Sequence, residues 1–72
     1  MEVELWRIEA YKDAFKKCEN CGYFNCYERK ECHVCFSKRL REITQKDIED
    51  EIGFWTKYGY AEEEIKNMLY KV

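Results

Sequence analysis

The sequence predicts a small, mainly α-helical domain with a stapled centre. Three observations carry that expectation. Apolar side chains recur at helical spacing near both ends of the chain, five cysteines crowd its middle, and there are only 72 residues in all. The length bounds the chain to a single domain, 1–72. At 46% apolar and 39% charged residues it is globular rather than disordered. A domain this short buries too little surface to rest on its core alone, so it needs a disulfide, a metal or a partner. With no proline and no Gly/Ser-rich stretch, no linker is visible.

Residues 4–17 are expected to form the first helix. Leu5, Ile8, Tyr11 or Lys12, and Phe15 fall on one face, which Trp6, Ala10 and Ala14 widen. Lys16 and Lys17 would then occupy its last turn, where cations suit the helix dipole. Residues 18–43 form the second section. Knuckles and turns surround the cysteines, with a short hairpin through Tyr23-Phe24 and then a helix from about Cys35 to Ile43. Residues 44–72 are expected to be an αα-hairpin. Thr44-Gln45-Lys46-Asp47 reads as a capping box, with Thr44 at the N-cap. Ile48, Ile52 and Trp55 make a stripe running to about Tyr58, and Gly59 suits the left-handed residue that ends a helix. Glu62, Glu63 and Glu64 sit in the first turn of the next helix, where acids favour the dipole. Ile65, Met68, Leu69 and Val72 form its stripe. The hairpin would pack on residues 4–17 through Ile48, Ile52, Ile65, Met68 and Leu69.

The cysteine spacing is Cys18-x2-Cys21, ten residues, then Cys32-x2-Cys35. No apolar run approaches the ~20 residues of a membrane span, and Met1 to Arg7 lacks a signal-peptide layout. These features place the chain inside the cell, in the cytoplasm, where thiols read as metal ligands before disulfides. The odd cysteine count also argues against a fully paired disulfide framework. Each Cys-x2-Cys turn aims two sulfurs at one point, and two such turns complete a tetrahedron. Gly22 fits directly after Cys21, where a zinc knuckle needs a residue that tolerates positive φ. The expected cofactor is one Zn2+ per chain on Cys18, Cys21, Cys32 and Cys35, and iron uses the same ligand set. Cys26 reads as a small buried hydrophobe, with a substitute ligand or redox handle as the other reading. His33, inside the second pair, is expected to be half-exposed and to support the ligands rather than join them.

Trp6-Arg7, then Lys12-Asp13, then Cys18-Glu19-Asn20-Cys21-Gly22 resembles the opening of the zinc-knuckle frame of HNH-type endonucleases and their treble-clef relatives. Cys32-His33-Val34-Cys35 leading into Phe36-Ser37-Lys38-Arg39-Leu40 resembles its closing pair and helix. A Cys-x2-Cys turn capping a basic helix is also similar to GATA-like and nuclear-receptor-like treble clefs, which read DNA with that helix. The likeness covers about residues 6–41. It implies a treble-clef or zinc-ribbon-like metal module. It does not carry the nuclease activity over, because only ten residues separate the pairs and His33 is the sole histidine. Phe54 to Glu64 is similar to a helical-hairpin segment found beside such nucleases in phage and mobile-element proteins.

Net charge divides the function classes. The chain is −2 overall: zero over residues 1–17, +1 over 18–43 and −3 over 44–72. It is no polycation that coats nucleic acid. A local basic patch of Arg29, Lys30, Lys38, Arg39 and Arg41 nevertheless points to DNA or RNA, with Lys38 and Arg41 sharing a helix face by i, i+3 spacing. The expected function is a non-catalytic, zinc-binding accessory or regulatory module near nucleic acid. The alternative is a protein–protein adaptor or small subunit that acts through its aromatics, which are 17% of the chain. Phe54, Trp55, Tyr58 and Tyr60 are the candidate partner surface, for another protein or a second copy. No catalytic residues are expected: there is no Ser/His/Asp set, no phosphate loop and no open metal position. Asp47, Glu49, Asp50 and Glu51 read as a solvated helix face.

Overall fold

A computed structural model describes residues 1–72. In chain order it contains β1 (Glu2–Glu4), α1 (Leu5–Ala10), a single 3-10 turn (Lys12–Ala14), β2 (Phe15–Cys18), β3 (Phe24–Cys26), β4 (Leu40–Glu42), α2 (Gln45–Thr56), α3 (Glu62–Lys66) and β5 (Leu69–Lys71). The strands form two antiparallel sheets, a β1-β5 pair and a three-stranded β3-β2-β4 sheet. The class is therefore mixed α/β, not mainly α, and three stretches account for the difference.

The first is residues 4–17. Leu5 and Ile8 are buried on a helix face as expected, but that helix stops at Ala10. Phe15 to Cys18 form the central strand of the larger sheet, with Lys16 paired to Asn25 on one side and Glu42 on the other. A strand with two partners satisfies its backbone on both edges, and it ends by delivering Cys18 to the cysteine cluster. Lys16 and Lys17 accordingly lie in β2, not in a last helical turn.

The second is residues 35–43, where no helix forms. Phe36 has φ 63°, a left-handed conformation that a right-handed helix cannot run through. The turn that aims Cys32 and Cys35 imposes that conformation, and the chain leaves it extended as β4.

The third is the end of the chain. The expected αα-hairpin holds through α2 and the start of α3. The Thr44 side chain accepts from the Asp47 amide while the Asp47 carboxylate accepts from the Thr44 amide, closing the expected box. Gly59 sits at φ 90° in the turn after α2. Beyond Lys66 the pattern changes from helical to alternating. Tyr70 is half-buried and Val72 buried, whereas Leu69 and Lys71 point outward. Short apolar runs fit either period, and here β1 offers a partner strand, with Val3 opposite Tyr70. Leu69 is 61% exposed, so it does not pack on the first helix as expected.

One apolar core joins these pieces. Leu5 and Ile8 of α1 meet Ile48 of α2 and Ile65 of α3, together with Phe15, Phe24, Ile43 and Val72. Ile52, Trp55, Met68 and Tyr70 pack half-buried around it. No helix is long and apolar enough to cross a membrane.

Candidate metal centre

The first Cys-x2-Cys turn is the loop of the β2–β3 hairpin. Cys18 closes β2, its amide donates to the Tyr23 carbonyl at 2.9 Å, and the Gly22 amide donates back to the Cys18 carbonyl at 2.9 Å. The second turn repeats this bond, with the Phe36 amide donating to the Cys32 carbonyl at 3.0 Å. In each, the residue after the second cysteine is left-handed: Gly22 at φ 81° and Phe36 at φ 63°. The Glu19 amide, donating to the Arg39 carbonyl at 2.8 Å, ties one turn to the exit of the other.

The two turns bring Cys18, Cys21, Cys32 and Cys35 together, with all four sulfurs within 4.8 Å of one another. Cys18 and Cys35 are 3.5 Å apart, as are Cys21 and Cys32. A tetrahedron of ~2.3 Å metal–sulfur bonds has edges of about 3.8 Å, which falls inside this range. A disulfide needs about 2.05 Å, and all five thiols are free. The residues present therefore fit a tetrahedral metal ion. Cys26 stands apart. It is half-buried, faces Phe15 across the β2–β3 ladder and is not part of the cluster.

Polar groups aimed at the sulfurs prepare them for charge. The Val34 amide donates to Cys32 Sγ at 3.4 Å, and the Asn20 side-chain amide donates to Cys35 Sγ at 3.4 Å. Desolvation opposes charge on Cys32, but the amides of Cys35 and Val34, with the Asn25 side chain, outweigh it and bring the thiol down to about 6. The Asn20 amide, followed by the Ser37 backbone, lowers Cys35. Desolvation, reinforced by the neighbouring thiols, pushes Cys21 up to about 12. Without metal, Cys32 is the readiest thiolate and Cys21 holds its proton. A divalent metal must displace that proton to complete its shell.

Asn25 is a positioning residue that sequence reasoning missed. It is fully buried. Its Oδ1 accepts from the His33 amide at 2.9 Å and from the His33 ring Nδ1 at 2.6 Å, while its amide donates to the Tyr23 carbonyl at 3.3 Å. It thus fastens β3 to the second turn. The available signal was a lone amide inside the aromatic run Tyr23-Phe24-Asn25-Cys26-Tyr27. His33 is half-buried beside the ligands, and burial, followed by the charge of Arg29, lowers its pKa and favours the neutral ring.

The five basic residues do not form a helix face. Lys38 lies in the loop before β4 and Arg41 within β4. Arg41 forks onto both Asp47 oxygens at 2.7 and 2.8 Å. Arg39 pairs with Glu19 at 3.2 Å, and Arg29 Nε donates to the Val72 carbonyl at 2.6 Å. The side chains of Lys30 and Lys38 are exposed and make no hydrogen bond or ion pair.

The aromatic set is brought together. Phe54 and Trp55 have ring centroids 5.1 Å apart, Phe54 and Tyr58 5.3 Å, and Trp55 and Tyr60 5.7 Å. Two acids read as solvated are not. Asp47 is buried in its capping box, and Arg41 beside it, more than the capping amide, holds its carboxyl well below the usual carboxylate range. Glu51 is half-buried and accepts from Trp55 Nε1 at 3.0 Å and Tyr70 Oη at 2.6 Å through a single oxygen. Compared with known proteins, the chain matches no family model, no curated protein and no solved structure.

Proposed function

We propose that this is a zinc-structured, non-catalytic binding module whose partner is a protein. The observation that carries this reading is the closed set of four sulfurs. With every tetrahedral position taken by cysteine, zinc keeps no open position for water or substrate and serves the fold. Four thiolates would hold the ion, and a reducing compartment such as the cytoplasm keeps them available. The likeness of residues 6–41 to the HNH-type frame contributes only the knuckles, because a strand stands where that frame has a helix.

Protein contact is supported by the exposed aromatic cluster of Phe54, Tyr58 and Tyr60 around Trp55, since aromatic anchors dominate interface energetics. It is also supported by the internal engagement of all three arginines of the basic set. A second reading, nucleic-acid contact, rests on Lys30 and Lys38 with the exposed ring of Phe36 at the second metal turn, on which a base would stack.

Native mass spectrometry with and without chelator tests the metal. One zinc per chain, whose removal abolishes cooperative unfolding, is expected. A metal-free folded chain, or iron with thiolate charge-transfer absorption, would reject the zinc assignment. Filter binding at low salt tests the partner class, with no retention of DNA or RNA expected. Retention lost in Lys30→Glu/Lys38→Glu would establish the second reading instead.

A further inference from the structure

Between the first metal turn and the outer face of α2 lies a cavity of about 420 Å3, within the ~300–1,000 Å3 range of small-molecule clefts. Tyr23, Phe24, Phe54, Trp55 and Tyr70 line it, with Glu51 as its one charged side chain. Three elements meet there that are distant in sequence: the β2–β3 hairpin, α2 and β5. We infer that this cavity is a cation site that takes an alkylated ammonium group against its aromatic walls and the Glu51 carboxylate. The inference rests on the binding-module reading and names the chemistry that the module would recognise.

The shape argues for a rounded head rather than a flat ring. Phe54 and Trp55 meet at 83° and Phe24 and Tyr70 at 65°, so the walls form corners and not a parallel slot. Aromatic faces carry negative potential and attract a cation within about 6 Å of the centroid. The Phe24 ring already holds the chain's own cation, with Lys17 Nζ over it at 5.4 Å, so the rings left for a ligand are those of Tyr23, Phe54, Trp55 and Tyr70.

Charge argues for a cation. Glu51 Oε2 is engaged by Trp55 and Tyr70, whereas Oε1 makes no hydrogen bond within the chain. Both donors fix the carboxylate in place while leaving one oxygen for a ligand. The Cys21 residue also lines the cavity, and four thiolates around a divalent metal carry a net −2.

Hydration argues for alkylation. A primary ammonium brings three N–H donors, and with one free carboxylate oxygen most would lose water without replacement. Methyl groups remove those donors and suit the rings, and a tertiary ammonium keeps one N–H for Glu51.

The test uses the zinc-loaded full chain, its metal content checked by native mass, and the indole N–H resonances of its two tryptophans. Trp55 reports on the cavity. Trp6, exposed on α1 under the Arg7 guanidinium, is the internal reference. Choline at millimolar concentration should shift Trp55 and not Trp6, and its neutral isostere 3,3-dimethylbutan-1-ol should not. Glu51→Gln should weaken choline binding by about tenfold, equivalent to ~1.4 kcal/mol. Phe54→Leu, at a half-exposed position that leaves the core intact, should weaken it as well. A peptide carrying dimethyl-lysine that binds tighter than choline assigns the cation to a partner protein; equal affinity assigns it to a free small molecule. Equal shifts by choline and the alcohol, or no shift by any cation in zinc-bound protein, would overturn the cation site while leaving the metal-structured module standing. A shift retained in folded, zinc-free protein would overturn the metal reading and leave the cation site standing.

Discussion

The two halves of this molecule are held together by different chemistry. On one side, α1, α2, α3 and the β1-β5 pair close over hydrocarbon, with Leu5, Ile8, Ile48 and Ile65 fully buried. On the other, residues 18–39 bury only Cys18, Phe24, Asn25 and Cys32. Phe24 belongs to the shared core, so the knuckles themselves keep two sulfurs and an amide from water and almost no hydrocarbon. The first half has a hydrophobic reason to fold; the second has one only when something binds its thiols. The halves should nonetheless unfold as one unit, because β2 and β3 carry the cysteine turn at one end and place Phe15 and Phe24 in the core. Loss of the metal should therefore be felt by the helices, and a weakened core by the metal.

The sharpest break in this contrast is a ligand substitution. Cys18→Ser or Cys35→Ser should release the metal and with it most of the ~10–16 kcal/mol that such sites supply as folding energy. Native mass and circular dichroism should show an apo, non-cooperative chain. Cys26→Ser, outside the cluster, should keep one metal. Loss of metal from that variant would show that the four-sulfur set is incomplete.

The hydrocarbon half should respond in kind but less strongly. Ile48→Ala empties a fully buried site and should cost about 2–5 kcal/mol, read as a lower urea midpoint in metal-saturated protein. Leu69→Ala, at a position 61% exposed, should stay within about 0.5 kcal/mol, as surface changes do. A large effect at Leu69 would mean that this side chain is covered in solution by another chain.

The contrast extends to protons. Cys32 is drawn down to about 6 and Cys21 pushed up to about 12. At pH 7 the first is mainly thiolate and the second still protonated, so metal binding must expel the Cys21 proton. Apparent affinity should rise with pH, by about tenfold per unit for each proton released. Calorimetry in buffers of different ionisation enthalpy should give different heats at pH 7. Identical heats would mean that all four sulfurs are ionised beforehand.

What the sequence made legible follows the same division. The grouping of the four cysteines, the positive φ at Gly22, the capping box at Thr44 and the N-terminal half of the Leu5/Ile8 helix are local properties, readable from spacing and residue type. The strands are not. Phe15-Lys16-Lys17-Cys18 extends because β3 and β4 come to its two edges, and Leu69-Tyr70-Lys71 because β1 arrives from the other end of the chain. Neither partner is visible in a window along the sequence, and both stretches also satisfy a helical period. Asn25 and Glu51 were missed for a related reason. Their partners, His33 on one side and Trp55 with Tyr70 on the other, meet them only after the sheets form. The basic set lost its helix face through the opposite error: spacing along the chain does not reveal the Glu19, Asp47 and Val72 groups that the fold sets against three of its residues.

The smallest expected effect compares the two metal turns with each other. They share one backbone, including a left-handed residue after the second cysteine, yet one places Gly22 there and the other Phe36. A side chain in that conformation costs roughly 1–2 kcal/mol relative to glycine. Phe36 is 70% exposed, so it recovers little of this by burial. Phe36→Gly removes the strain, but glycine also gains freedom in the unfolded chain, which offsets up to ~1 kcal/mol of the benefit. The net result should be a stabilisation of about 0.5 kcal/mol at unchanged metal content. Gly22→Ala is the mirror experiment. The added Cβ would meet only Lys17 Cε at 3.9 Å, an ordinary contact, so its cost is conformational and should be about 1 kcal/mol. Opposite signs for the two substitutions, read as urea midpoints in metal-saturated protein, would show that the metal turn dictates the left-handed backbone whatever residue stands there. If Phe36→Gly instead destabilised the protein, the exposed phenyl ring would have to contribute a contact that outweighs its own backbone strain.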